Sequence, residues 1–377
     1  MSRERLFAHL MVPAGSLLVA GAVCGLVPAL AAAARGRAGG ASTLKAAAVS
    51  GTLNGVAATS ALNAWAVGST SAFTPLILRW NGTAWVLAVS PRVKDGQLLG
   101  VAAVSARNAW AVGSDVRGTL ILSWNGTAWK QARSPNPARH PIVLQGVAAT
   151  SARNAWAVGF GSTRSHDQRT LILHWDGARW KQMPGPCPVD GELTAVAATS
   201  PRSAWAVGNA SGRTLILRWN GIAWKQVRSP ALAAGTLYGI TATSARNAWA
   251  VGYTVAGPSA RPLILHWNGT AWKRVPSPNP ESQPRGNWLF GVSAVSARSA
   301  WAVGGTSVTS ASSGTFVLHW NGAAWKRVRS PSPPGGPNLF GVAATSARNA
   351  WAVGYTTNGP FDAVILHWNG ARWMRQI

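Results

Sequence analysis

The chain has 377 residues and a formal net charge of +26, from 35 Lys and Arg against nine Asp and Glu. With 47% hydrophobic and only 12% charged residues it is too apolar for disorder, and its two cysteines, Cys24 and Cys187, exclude a disulfide framework or a CxxC metal site. The positive field favours anionic partners such as envelope polymers, acidic glycans or nucleic acid. No helix-turn-helix, zinc pattern or phosphate-cradling loop accompanies that charge, so no specific nucleic-acid motif and no cofactor is expected.

The chain opens with Arg3 and Arg5 beside Glu4, then runs uncharged from Leu10 to Ala34 and ends that run in ALAAAA. A basic start, an apolar core and Ala-x-Ala spacing near Ala29–Ala33 predict an export signal over 1–34. The run is long enough to serve instead as an uncleaved membrane anchor, which would be the only membrane contact. Cys24 follows Val23, whereas lipidation calls for a small residue there. Residues 35–52, rich in Gly, Ala and Ser, read as a linker, and the rest of the chain is expected to be secreted or extracytoplasmic.

From residue 53 one unit recurs seven times, with starts near 53, 98, 144, 193, 237, 289 and 339. In the second copy it reads LGVAAVSARNAWAVGSDVRGTLILSWNGTAWKQARSP (99–135). Its first tryptophan recurs as Trp65, Trp110, Trp156, Trp205, Trp249, Trp301 and Trp351, and its second as Trp80, Trp124, Trp175, Trp219, Trp267, Trp320 and Trp368. The third recurs as Trp85, Trp129, Trp180, Trp224, Trp272, Trp325 and Trp373. Only Trp288, in RGNWLF, stands outside this phase and reads as part of a linker.

Each unit holds four short apolar segments bounded by Gly, Asn, Ser and Pro, which is the strand signature. The first resembles GVAATS, the second is AWAVG, the third is LILxW, and the fourth runs from the third Trp to Ser-Pro. Asn-Gly, or Asp176-Gly177 in the third copy, predicts a tight hairpin between segments three and four. Four antiparallel strands repeated seven times predict an all-β fold, a seven-bladed β-propeller over 53–377, expected to be a monomer. The small residues of strand one suit the crowded centre, and the strict phase of the tryptophans makes them wedges between blades. Lys130, Lys181, Lys225, Lys273 and Lys326 follow the third Trp on the outermost strand, where charge discourages edge-to-edge pairing.

Repeats reading AWAVG…LILHWNGTAWK resemble those of exported bacterial β-propeller proteins, and in general plan they are similar to kelch and galactose-oxidase-type propellers. The G-x-x-W of WNGTAW also resembles the Asp-box hairpin of sialidase-type propellers, with Trp80 and its equivalents where that motif carries an acid. The resemblance covers 53–377 and implies a fold. Propellers host lectins, glycosidases, lyases, oxidases and scaffolds, so it implies no single activity.

The chemistry of those enzymes is hard to assemble here. A copper–radical centre would need more than Cys187 and the three tyrosines, which sit in no matching motif, and no sialidase-like constellation stands out. His174, His266, His319 and His367 share one repeat position, but Arg79, Ser123 and Arg218 occupy it elsewhere, which marks packing and not a metal ring. The acids are Asp95, Asp115, Asp167, Asp176, Asp190, Glu192, Glu281 and Asp362. Asp190 and Glu192 with Asp115, Asp167 or Asp362 could supply the two carboxylates of a glycosidase, without a motif to support it. No catalytic residue is assigned.

Strand order divides the turns between two rims. One rim is nearly constant and carries Arg107, Arg153, Arg202, Arg246, Arg298 and Arg348, candidates for polyanion contact, with Leu62 in the first copy. The other carries the loops that differ between copies, where specificity usually resides. Asp167, Asp190, Glu192, Tyr253, Trp288, Tyr355 and Asp362 are the candidate ligand residues there. The expected function is non-catalytic binding of a glycan or protein on this variable rim. The alternatives are a carbohydrate-active enzyme using loop carboxylates and an anionic-polymer binder using the basic rim.

Overall fold

The computed structural model describes residues 49–136, 142–162, 167–230, 234–256, 259–279, 286–307, 313–357 and 361–377. The leader, the linker up to residue 48 and Glu281 lie outside them. All regular structure among the described residues is strand: 28 strands fall into seven blades of four. The chain is a seven-bladed β-propeller. Within each blade the strands pair antiparallel in chain order. Blades five and six are further joined by one parallel pair, Ala260 with Gly286.

Strand one of each blade packs against strand one of the next, and the first blade (Gly51–Ser60) meets the seventh (Pro337–Ser346), so strand one is innermost and the ring closes. At the closure Ser50 bridges to Asp362, Gly51 N–H donates to Phe361 C=O at 2.7 Å, and Ala363 N–H donates to Val49 C=O at 3.1 Å. The seam thus occupies the same place as the contact between blades five and six, strand three of one blade beside the start of strand one of the next, with an antiparallel bridge where theirs is parallel. Each blade is built from a single repeat, including the seventh, whose outer strand is Trp373–Arg375.

Strand two is apolar without alternation because both its faces are covered. Ala64, Trp65, Ala66 and Val67 are all fully buried, as are their equivalents around the ring. The glycine ending AWAVG is fixed by close approach: a Cβ on Gly68 would lie 1.9 Å from Thr52 C=O, and the other six copies are as tight.

The tryptophans form seven equivalent triads. Trp65 of blade one meets Trp124 and Trp129 of blade two, with ring centroids 4.9 and 5.1 Å apart. The motif continues around the ring until Trp351 of blade seven meets Trp80 and Trp85 of blade one, at 4.8 and 5.1 Å. The third Trp stands nearly perpendicular to the first in each triad, presenting its edge to the ring face, a favoured quadrupolar geometry. The middle Trp keeps its polar end satisfied by donating Nε1–H to the strand one–two turn of its own blade, Trp80 to Ala61 C=O and Trp124 to Ala106 C=O, both at 3.0 Å.

Three expectations need correction. Strand four is only three residues long, as in Trp129–Gln131; one further bond, Ala132 N–H to Ile121 C=O, continues the ladder before the chain departs for Ser-Pro. The hairpin between strands three and four is a four-residue loop, because Trp80 pairs with Trp85 and Asn81-Gly82-Thr83-Ala84 lies between them. Asn81 acts through its side chain, its Oδ1 accepting Thr83 and Ala84 N–H at 3.0 and 2.9 Å. Asp176 makes the same two bonds with Ala178 and Arg179, which explains why an acid replaces the amide there. Only the glycine takes positive φ, +100° at Gly82. Finally, Trp288 is not in a linker: it lies within strand one of blade six (Gly286–Ser296), half-buried and paired with Gly305.

Candidate functional site

The constant rim is built from turns that hold themselves. Ser105 Oγ accepts Arg107 N–H at 3.2 Å, and the same bond recurs from Arg153, Arg202, Arg246, Arg298 and Arg348 to the serine two residues before each. Each arginine lays its aliphatic stem over the hairpin glycine of its own blade; a Cβ on Gly126 would be 3.3 Å from Arg107 Cβ and Cγ. Leu62 covers Gly82 in the same way. All six arginines are exposed, and none is in an ion pair with a described residue. The one acid in these turns, Asp176, is bound to Lys181, which holds its carboxyl far below the usual carboxylate range.

The histidine position is a stacking site and not a metal ring. His174, His266, His319 and His367 lie over the first Trp of their own blade at centroid distances of 4.1–4.3 Å. Three of them donate Nε2–H to an asparagine Oδ1 at 2.8 Å, and His319 Nε2 meets Ser299 Oγ at 3.2 Å. Arg79 and Arg218 replace the imidazole with a guanidinium over the same ring, at 5.3 and 5.1 Å from the centroid. Burial lowers the pKa of all four histidines. No cluster of His, Cys, Asp or Glu suited to a metal occurs among the described residues.

The variable rim departs from the repeat. Strand one carries a bulge in every blade where pairing with strand two slips, at Asn54, Leu99, Gln145, Thr194, Tyr238, Phe290 and Phe340. A bulge places one unpaired residue in an otherwise constrained strand and re-aims its side chain. In blades one to four this residue is polar or aliphatic; in blades five to seven it is aromatic. Tyr238 meets Phe290 at 5.3 Å, and Phe290 stacks on Phe340 at 4.9 Å. Strand two extends this arc at both ends. Tyr253 stacks on Tyr238 at 5.8 Å, Tyr355 stacks on Phe340 at 4.7 Å, and the exposed Phe361 meets Tyr355 edge-on at 5.7 Å. None of these six rings belongs to the seven inter-blade clusters.

Tyr253 and Tyr355, expected in rim loops, are therefore the ends of strand two and are buried. Burial pushes the Tyr355 phenol up to about 12. Tyr238 is raised further, by burial and by its neighbour Tyr253, to which it is hydrogen-bonded. Tyr238, Phe290, Phe340 and Phe361 were not among the residues the sequence singled out. The signal available was the bulge column itself, which varies freely between two constant neighbours, Leu and a small residue.

Glu192 also sits in a strand and not in a loop. It lies near the start of strand one of blade four (Gly191–Ser200), opposite Asn209. It is half-buried, and burial raises its pKa with no basic neighbour to offset it. Glu192 is close enough to Tyr238 for its charge to raise the phenol as well. The two strands are tied together: Thr194 Oγ1 donates to Leu237 C=O at 2.7 Å, and the Asn209 amide donates to Gly235 C=O at 2.9 Å and reaches Thr236 Oγ1 at 3.1 Å.

The remaining acids have local explanations. Asp190 is exposed at φ +50° in the turn before strand one, as Asp95 is at φ +49° in blade two. Asp115 accepts Arg117 N–H at 2.7 Å, and Asp167 lies 3.8 Å from Arg169. Asp362 is held by its main chain at the ring seam, donating N–H to Thr356 Oγ1 at 3.0 Å. The structure thus does not gather Asp167, Asp190 and Asp362 around Glu192 by any bond or ion pair among the described residues. Cys187 is an exposed free thiol.

No family model matches the sequence, and a search of curated proteins found no relative. Solved structures match in fold. U3-55K superposes with a TM-score of 0.56 at 12% identity, over 85% of this chain and 97% of its own. YCF48 bound to D1 peptide gives 0.54 at 14% identity, over 84% and 93%. YCF48 from Cyanidioschyzon merolae gives 0.51 at 15%, over 84% and 98%. At such identities the likeness is one of fold, and it agrees with the blade architecture: the chain is a β-propeller.

Proposed function

We propose that this propeller is a non-catalytic binding module that seats a protein segment at the inner end of its variable rim. The observation that carries this reading is the convergence of the departures from the repeat. Twenty-one tryptophans are committed to holding blades together, whereas six of the aromatic residues that only some copies carry gather into one arc, Tyr253–Tyr238–Phe290–Phe340–Tyr355–Phe361. A scaffold needs no such asymmetry. The rings spend much of their faces on one another, and Tyr253, Phe290 and Tyr355 are buried, which leaves few open faces for sugar stacking and favours a peptide over a glycan. A fold neighbour, YCF48, has been solved bound to D1 peptide, which supports this reading.

The test is selection of peptides from a random display library by the full chain, with a glycan array in parallel. Selected peptides should lose at least about tenfold in affinity, about 1.4 kcal/mol, with Tyr238→Leu or Phe340→Asn. Both substitutions copy residues that other blades carry at the bulge, Leu99 and Asn54, so the blade is kept. Selection of glycans alone, or peptide binding indifferent to both variants, refutes the proposal.

The constant rim supports a second reading, anionic-polymer binding, because its six exposed arginines face no free acid in their own turns. Binding of polyphosphate should then weaken with salt. Arg246→Leu with Arg298→Leu, which copies Leu62, should lower the slope of log affinity against log salt by about one per arginine. An unchanged slope removes this reading.

A further inference from the structure

We infer that Glu192, together with Tyr238 and Tyr253, forms a subsite for an organic cation, the ammonium or guanidinium group of a lysine or arginine side chain on the bound segment. The inference rests on the protein-ligand reading above and names what one end of the aromatic arc recognises.

Three observations lead to it. First, Glu192 has no ion pair or hydrogen bond with a described residue, in a chain where Lys and Arg outnumber Asp and Glu by 35 to nine. The other described acids of this rim lie in turns, in a strand-end cap or at the seam, or face an arginine. A half-buried carboxylate without a partner is costly, and such groups are ordinarily paired. Second, the neighbour best placed to satisfy it, the Asn209 amide across the strand pair, spends its donors on Gly235 and Thr236 of blade five. Third, Tyr238 lies within range of this carboxylate's charge, on a strand tied to blade four by Thr194 and Asn209, and it is hydrogen-bonded to Tyr253 with the two rings nearly parallel, 22° apart. Tyr253 is buried and backs Tyr238, so the half-buried Tyr238 is the ring with surface left open; aromatic rings attract cations, Arg and Lys above all, and a nearby carboxylate completes both halves of a cation site. Burial raises the Glu192 pKa, as expected of an acid still lacking its counter-charge.

The repeat supplies controls that keep the fold. Blade two carries Gln97 where blade four carries Glu192, bonded to Ser114 at 3.2 Å, so Glu192→Gln is a residue the architecture already uses. Blades one and two carry Ser69 and Ser114 where blade five carries Tyr253, so Tyr253→Ser is another.

The experiment titrates the full chain with n-butylammonium, n-butylguanidinium, n-butanol and butyrate, following binding by saturation-transfer NMR. The two cations should bind saturably, and butanol and butyrate should not. Glu192→Gln should weaken cation binding at least tenfold, and Tyr253→Ser about threefold or more. Equal binding of butanol, or cation binding unchanged in Glu192→Gln, overturns the inference. The peptide selection separates this failure from that of the wider proposal. Arc-dependent peptides without a basic residue, bound equally by Glu192→Gln, would leave the protein-ligand reading standing and remove the cation subsite. Glu192-dependent cation binding without any selected peptide would do the reverse.

Discussion

If the ring is closed by seven equivalent interfaces, the tryptophan at the seam should matter as much as one in the interior. Trp351 and Trp301 are both essentially fully buried, and each meets two tryptophans of the next blade at 4.8–5.1 Å. A buried Trp hides roughly 200 Å², about 5 kcal/mol gross at about 25 cal/mol per Å², as an upper bound. Measured losses for Trp or Phe to Ala run about 3–5 kcal/mol, so Trp351→Ala and Trp301→Ala should each cost about 4 kcal/mol. In a domain of this size that lowers Tm by about 8 °C, at about 2 °C per kcal/mol. Thermal and urea unfolding followed by near-UV circular dichroism would measure both. The two variants should agree within about 1 kcal/mol. A full loss in Trp301→Ala with less than about 1 kcal/mol in Trp351→Ala would mean the seam is open, and the equivalence of the interfaces would be refuted.

Two further predictions concern positions where the copies differ for structural reasons. The four stacked histidines have folded pKa values below their unfolded ones, so they contribute stability that is present above about pH 6.5 and lost as pH falls through the lowered folded values. His266→Arg, which copies Arg79 and Arg218, should hold stability at pH 7.5 within about 0.5 kcal/mol and show a smaller fall in Tm between pH 7.5 and pH 5 than wild type; an identical pH dependence would show that burial of this imidazole is not linked to folding. Gly269→Ala should cost about 1–3 kcal/mol, because φ is +100° there and the new Cβ would meet the Arg246 stem at 3.3 Å; urea unfolding with no loss would contradict that account of the hairpin.

The scaffold was legible because its constraints repeat. The phase of the tryptophans located the interfaces, continuous apolar runs marked strands covered on both faces, and a position accepting His, Arg or Ser announced packing before the stacking on Trp was visible. Other features were hidden for identifiable reasons. Asn-Gly is shared by two-residue hairpins and by four-residue loops in which asparagine acts as an acceptor, and only the pairing of Trp80 with Trp85 separates them. Ser-Pro limits strand four but does not say how early it ends. Tyr253, Tyr355 and Glu192 look like loop residues because the copies disagree there, yet each lies in a strand end paired to another blade-specific residue. The bulge was the largest omission: Tyr238, Phe290 and Phe340 stand in a column that varies between a constant Leu and a constant small residue, a pattern that marks the position as variable without announcing the slip of register that sets its side chain apart.

The division of labour between constant scaffold and variable rim is tested most directly by a hydrogen-exchange footprint of the full chain with a peptide selected from the display library. Protection should gather at the inner strands of blades four to seven, around Glu192, Tyr238, Phe290 and Phe340, with the Arg246, Arg298 and Arg348 turns unchanged. Protection confined to those arginine turns and the Asn-Gly hairpins would contradict it and move the binding surface to the opposite rim.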